Sequence, residues 1–202
     1  MNKIQIHSIE DLIKENYPIE FIEKLLQEVL ILSLQVKDDY PDYKEWYQTI
    51  QVPGIYDGTR NIIIAHINDR IVGFVSLKKL STEKKICTFY VEKSFRRNQI
   101  GSLLAQKAVD YLEEERPLIT IPMDKLGEFT RIAEKYNWEI SDIKENLYRT
   151  GTPEVIVNGE IKAPNRTIEI EKSLKKTYHI YKIQKIKQIL HTSIYNPHKL
   201  WK

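Results

Sequence analysis

The tightest constraint on the fold lies in the middle of the chain. "NIIIAHINDRIVGFVSLKKL", residues 61–80, is two β-rich apolar runs hinged on Asn68-Asp69, and "KKICTFYVEK", residues 84–93, follows as a third. Runs of this composition, joined by turns this short, pair as antiparallel neighbours in a meander. What comes next is different in kind: "SFRRNQIGSLLAQKAVDYL" goes from a basic, amide-rich link to a helical repeat, with Leu104, Ala105, Ala108, Val109 and Leu112 on one stripe. Such a stripe needs a sheet to cover it. A three-stranded meander feeding a helix through a loop that contains Gly101 is therefore the centre of the molecule.

Around that centre the pattern is also regular. "KIQIH" is a short strand, and "PIEFIEKLLQEVLILSLQV" sets Phe21, Leu25, Val29 and Leu32 on one helical face. "KDDYPDYKEWYQTIQVPGIYDGTR" holds Pro41, Pro53 and Gly54 and reads as a long loop with a short helix near Trp46. "PLITIPM" suits a buried strand, "DKLGEFTRIAEKYNW" a helix, and "EISDIKENLYRT" a strand after it. The order ααβββαβαβ predicts an α+β (α/β) fold: a mixed, mainly antiparallel sheet flanked by helices. Residues 1–150 are expected to form the domain and residues 151–202 an extension, a hairpin at Asn158-Gly159 able to extend the sheet, followed by a basic amphipathic helix.

Composition narrows the chemistry. Apolar residues are 42% and charged ones 29%, which is globular rather than disordered. The start "MNKIQIHSIEDLIKENY" lacks the apolar core of a signal peptide, and no run approaches a membrane span, so a cytoplasmic protein that does not engage membranes is expected. One cysteine, Cys87, allows no intrachain disulfide. Five histidines without ligand spacing leave a zinc site unsupported, and no metal is expected. G-x-S-x-G, G-x-x-x-x-G-K-[ST] and G-x-G-x-x-G are all missing, which removes hydrolase-triad, triphosphatase and dinucleotide readings. The net charge of +3 is uneven: residues 162–202 carry ten Lys or Arg and two Glu, so an acidic body bears a basic tail.

"FYVEKSFRRNQIGSLLAQKAVDYL", in the element order above, resembles the strand, pyrophosphate loop and helix of the GNAT superfamily of acyl-CoA-dependent N-acyltransferases. The likeness spans roughly residues 1–150. It implies acetyl-CoA as co-substrate, with the backbone of Phe89, Tyr90 and Val91 facing the pantetheine arm and Arg96, Arg97, Asn98, Gln99, Ile100, Gly101 and Ser102 around the pyrophosphate. Unpaired amides at a helix N-terminus favour an anion. A Cβ at position 101 is expected to hold phosphate oxygens off those amides or strain the turn, while Gln99, in the place of a family glycine, is tolerable if its φ is negative. The alternative is a solvated basic turn capping a core helix.

Catalysis is less legible. Direct transfer needs a neutral amine and a protonated leaving thiolate. The family's tyrosine acid aligns with Ala133, and Tyr136, one helical turn on, is the candidate acid, with core packing as its other reading. Cys87 lies in an apolar strand, where thiols are usually inert. The acceptor wall is expected in "VKDDYPDYKEWYQTIQVPGIYDG", whose Asp38, Asp39, Asp42 and Glu45 alternate with Tyr40, Tyr43, Trp46 and Tyr47; that mixture suits a small cationic amine or is a solvated loop anchored by its rings. The tail stripe of Leu174, Tyr178, Ile183, Ile186 and Leu190 is expected to pack on the body or a second copy, with a nucleic acid as the less favoured partner. Two further readings stay open: an acetyltransferase acting on a protein or aminoacyl-tRNA, and a non-catalytic CoA-binding or interaction protein.

Overall fold

The computed structural model describes residues 3–36 and 39–161. The chain enters with β1 (Gln5–Ser8) and α1 (Ile9–Lys14), where the Ser8 hydroxyl accepts the Asp11 N–H at 3.2 Å and satisfies one of the open donors at the helix start. α2 (Ile19–Ser33) buries Ile22, Leu25, Leu26, Val29 and Leu30, one face of a 3.6-residue repeat.

The expected long loop is largely helical. α3 (Tyr43–Trp46) runs through a π-helical turn (Tyr47–Gln51) into α4 (Val52–Tyr56). Turn-forming residues argued for a loop, but buried anchors decided the outcome. The Tyr47 hydroxyl donates to Leu26 O at 2.8 Å, and Gln51 Nε2 donates to Asn61 O at 2.9 Å. Pro53 falls where the hydrogen-bond ladder changes from one helix type to the other, so its missing N–H costs little.

β2 (Arg60–Ile67), β3 (Arg70–Leu80) and β4 (Glu83–Val91) form the meander, followed by α5 (Ile100–Leu112), β5 (Leu118–Pro122), α6 (Leu126–Tyr136), β6 (Ile140–Lys144) and β7 (Glu154–Val157). The seven strands lie in the order β1-β2-β3-β4-β5-β7-β6. All neighbours are antiparallel except β4 and β5. The mixed, mainly antiparallel sheet with flanking helices is thus the architecture the element order implied. α5 and α6 cover one face, over Val72, Val75, Ile86, Ile121 and Val155; α1 to α4 cover the other, over Ile62, Ile64 and Phe74. The close approach of α5 requires Gly73, where a Cβ would stand 2.9 Å from Tyr90 O and 3.2 Å from Leu104 Cδ1.

Two details position the site. β4 and β5 pair only at Lys85↔Leu118 and Ile86↔Ile119. On its other side β4 skips a residue against β3, between Ser76↔Thr88 and Leu77↔Ile86, so Cys87 is a bulge that bends the strand away from β5. The sheet also continues past residue 150: β7 inserts between β5 and β6, so the stretch placed in the extension supplies an interior strand. Asn158 follows β7 with φ 61°, consistent with its turn character; the second arm of the expected hairpin and the basic helix lie outside the described residues.

Candidate functional site

Where β4 and β5 part, a cleft of about 1180 Å³ opens, walled by the two strands, the C-terminal end of α2, the loop before α5 and the first turns of α6. β4 pairs with β3 through Val75↔Phe89, Phe74↔Tyr90 and Gly73↔Val91, while among the described residues no strand lies on its other side there. Phe89, Tyr90 and Val91 line the cleft. Their free edge can hold an extended, amide-bearing chain as a strand is held, through backbone hydrogen bonds.

The loop after β4 is built around its backbone. Arg97 and Gln99 have φ of 64° and 63°. Gln99 is therefore left-handed, contrary to the negative φ the sequence reading required, and the glycine-like conformation exists here without the glycine. Each such residue costs about 1–3 kcal/mol. The turn they make around Asn98 is of the kind that directs successive N–H groups into a concavity. The first amide of α5 with a backbone acceptor is Leu103, bonded to Gln99 O at 3.0 Å; no side chain among the described residues caps the helix, and its first turn carries no acid. An uncapped helix start of this kind is favourable for an anion.

The side chains divide by role. Arg97, Gln99, Gly101 and Ser102 line the cleft, whereas Ile100 is buried in the core beneath α5. Arg96 also borders the cleft, but its Nε donates to Val91 O at 3.0 Å and its Nη1 to Glu128 at 2.8 Å, so it ties the end of β4 to α6. Asn98 Nδ2 donates back to Phe95 O at 3.4 Å. Gly101 is helical, not strained; a Cβ there would stand 3.9 Å from Phe89 Cε1 and 4.0 Å from Ile132 Cδ1, ordinary contacts. Of the two reasons offered for this glycine, strain is removed and access to the amides remains.

The structure does not bring Tyr136 to the cleft. Its hydroxyl donates to Gln106 Oε1 on α5 at 2.9 Å and its ring stacks on Trp138, 6.0 Å between centroids. Cys87 does border the cleft, half-buried, with Arg60 Nη1 at 3.6 Å from its sulfur. The carboxylate-and-ring stretch splits as well: Tyr43 and Tyr47 are core, Trp46 lies under the Arg60 guanidinium at 5.6 Å, and Asp39 and Tyr40 line the cleft.

A polar cluster missed by the sequence reading occupies the sheet face opposite α5. Asp39, 4% exposed, pairs with Lys125 and with Arg149 Nη1 at 3.3 Å; Arg149 Nη2 lies 3.6 Å from Asp124. Lys85 Nζ donates to the Tyr148 hydroxyl at 3.4 Å, and Tyr148 meets Tyr40 edge to face at 5.2 Å. Burial alone would lower the Lys85 ammonium, but Tyr148, Cys87 and Glu83 outweigh it and hold it above its ordinary value. Glu154, at the start of β7, is 0% exposed, and neither of its oxygens has a hydrogen-bond partner among the described residues. Burial, then the Asp39 charge, push its carboxyl up to about 7 against the partly opposing pull of Arg149 and Lys85. The signal available in sequence was an acid at the head of an apolar run, "EVIV". Among the described residues there is no group of three or more His, Cys, Asp or Glu able to hold a metal, and no helix long and apolar enough to cross a membrane.

A strand pair that splays beside an uncapped helix start, on a mixed sheet, is the arrangement that the sequence resemblance implied. Residues 8–121 match the acetyltransferase (GNAT) family, more than half of the sequence, and the chain belongs to that family. Among solved structures, a putative GNAT acetyltransferase from Desulfovibrio desulfuricans aligns with 12% identity and TM-score 0.55, over 79% of this chain and 100% of the other. A GNAT acetyltransferase from Elizabethkingia anophelis with acetyl-CoA bound aligns with 16% identity and TM-score 0.48, over 80% and 100%. Against a nourseothricin acetyltransferase, at 14% identity and TM-score 0.46, half of this chain aligns and spans 65% of that protein. A comparison with curated proteins gave no significant match.

Proposed function

We propose that the chain moves the acetyl group of acetyl-CoA to a primary amine, carried by a small cationic molecule, in one direct step. The observation that carries this reading is the Arg97–Gln99 turn, two left-handed residues set before an uncapped helix and beside the open edge of β4. Strain of this sort persists where the surrounding structure holds it for a purpose. The residues fit the cofactor: backbone amides from Arg97 to Ser102 would take the pyrophosphate, and Phe89 to Val91 the pantetheine amides. Bound acetyl-CoA would supply an activated thioester. The chain's share is then to hold that thioester between β4 and β5, to keep water off it with Ile86, Ile119 and Ile121, and to present the amine from the side of Tyr40, where Ile31, Leu32 and Val36 add apolar wall. Proximity alone can lower such a barrier by several kcal/mol.

Calorimetry with acetyl-CoA tests the binding, and thiol release in the presence of primary amines tests the transfer. Binding without release from any acceptor would favour the second reading, a CoA-binding protein without turnover, for which the position of the Tyr136 hydroxyl, bonded to Gln106, is the supporting observation.

A further inference from the structure

Two buried carboxylates stand near each other on the acceptor face, and the protein treats them unequally. Asp39 is neutralised by Lys125 and Arg149. Glu154 is buried, and among the described residues neither of its oxygens has a partner. A carboxylate kept for structure would be paired as Asp39 is, because an ionised acid buried without partners is costly. Strand register fixes where Glu154 points. On β5 and β7, Ile119, Ile121, Val155 and Val157 belong to the core under α5 and α6, so Thr120, Pro122, Glu154 and Ile156 alternate to the other face. Glu154 pairs across the strands with Pro122, and Pro122 lines the cleft.

We propose that Glu154 is the proton acceptor of the transfer reaction, taking the proton that the substrate ammonium must lose through the Tyr40 hydroxyl or one water. The assignment rests on the acetyl-transfer reading above, and it concerns a strand beyond the residues that match the family. The step balances as follows. R–NH₃⁺ gives one proton toward Glu154; the amine nitrogen attacks the thioester carbon; the C–N bond forms and the C–S bond breaks; the thiolate takes the second nitrogen proton and leaves as the thiol. Glu154 then returns its proton to solvent. The charged and titratable groups around it come from every packed element: Asp39 and Tyr40 from the segment after α2, Lys85 from β4, Asp124 from the turn after β5, and Arg149 and Tyr148 from the loop before β7. Lys144, its partner across β6, turns instead to Asp142 at 3.0 Å. Burial and then Asp39 raise the affinity of Glu154 for a proton, and Arg149 and Lys85 limit that rise, the division of labour seen when adjacent acids are driven apart.

The test compares the full-length protein with Glu154→Gln and Glu154→Asp. Thiol release is followed from pH 5.5 to 9 with a triamine, with lysine amide, with a tripeptide bearing a free α-amine and with water alone; acetyl-CoA affinity is measured in parallel. The expected result for Glu154→Gln is unchanged acetyl-CoA affinity, a fall in kcat of roughly 10²- to 10⁴-fold, and loss of the rate rise centred near pH 7, with partial recovery in Glu154→Asp. Equal kcat and an unaltered pH profile in Glu154→Gln overturn the assignment while leaving transfer intact. If the unaltered protein binds acetyl-CoA but releases no thiol to any acceptor, the transfer reading itself is refuted, and the proton acceptor with it. Should Glu154→Gln fail to fold, Glu154→Leu, which suits a buried strand position and carries no carboxylate, takes its place, and a normal rate and profile there overturn the assignment equally.

Discussion

Replacing Glu154 by Gln should make the protein more stable at alkaline pH and leave it unchanged in acid. The carboxyl has its folded value raised to about 7 from an ordinary 4.5, with burial as the largest cause. A raised acid binds its proton more tightly folded than unfolded, so between those two values the folded state holds the extra proton and stability falls as pH rises. Below about pH 4.5 the group is neutral in both states and contributes nothing to the difference; above about 7 it is ionised in both and the full cost is present. At ~1.4 kcal/mol per pH unit that cost is about 3 kcal/mol, an upper bound because water and side chains can rearrange around the charge. Gln keeps the shape and removes the titration. Urea unfolding at pH 5, 6, 7 and 8 should show the two proteins converging at the acid end, and the variant ahead by up to about 3 kcal/mol at pH 8. For a chain of this size each kcal/mol is roughly 2–4 °C in Tm. Parallel stability curves from pH 5 to 8, or a variant less stable than the parent at pH 8, would refute the claim that an unpartnered carboxylate is buried there.

Other substitutions separate scaffold from site. Gly101→Ala meets only ordinary contacts, so its melting temperature should hold or rise slightly, while acetyl-CoA affinity drops ~10- to 150-fold, the loss of one charge-assisted hydrogen bond of about 1.5–3 kcal/mol; calorimetry and a melting scan check both halves. Gly73→Ala is the converse, since its Cβ meets Tyr90 O at 2.9 Å: denaturant unfolding should show a loss of roughly 1–3 kcal/mol. Tyr136→Phe removes only the hydrogen bond to Gln106, so thiol release should be unchanged and stability should fall by about 1 kcal/mol. A large fall in kcat would return Tyr136 to the catalytic machinery.

The legibility of the molecule follows the physics that each part obeys. Where burial dictates pattern, sequence and structure agree: the α5 stripe from Leu104 to Leu112 is buried as its spacing implied, and β2, β3 and β4 take up the three apolar runs around the Asn68-Asp69 turn. The Tyr43–Tyr56 stretch shows how such reading errs. Pro53 and Gly54 are local turn formers, but Tyr47 and Gln51 bond to α2 and β2, and these long-range anchors outweighed local preference. The bulge at Cys87 left no sequence mark, because an extra residue in a strand is visible only against its partner's register. The run Glu154–Val157 was legible as a hairpin arm extending the sheet but not as an interior strand, because its neighbours come from residues 118–122 and 140–144.

The two departures at the site are of another kind. Gln99 occupies a left-handed position that glycine would fill without strain, and Glu154 occupies an interior strand position that an apolar residue would fill without desolvation. Each lowers stability, by about 1–3 kcal/mol for the first and up to about 3 kcal/mol for the second. Sequence reasoning that assumes local consistency fails at both, and local inconsistency concentrates where function needs it. Both relate to one cleft: Gln99 lines it, and Glu154 pairs across the strands with Pro122, which lines it too. A strain that served only the fold would have no reason to coincide with the opening between β4 and β5. Restoring local consistency at both positions, with Gln99→Gly and Glu154→Gln together, should therefore yield a more stable protein in which the glycine alone leaves acetyl-CoA affinity intact and the glutamine alone abolishes the neutral-pH rise in turnover. Additive stability gains, paired with that split in function, would show that binding needs the left-handed turn at position 99 but not the strain of a side chain there, whereas the cost at Glu154 is tied to proton transfer.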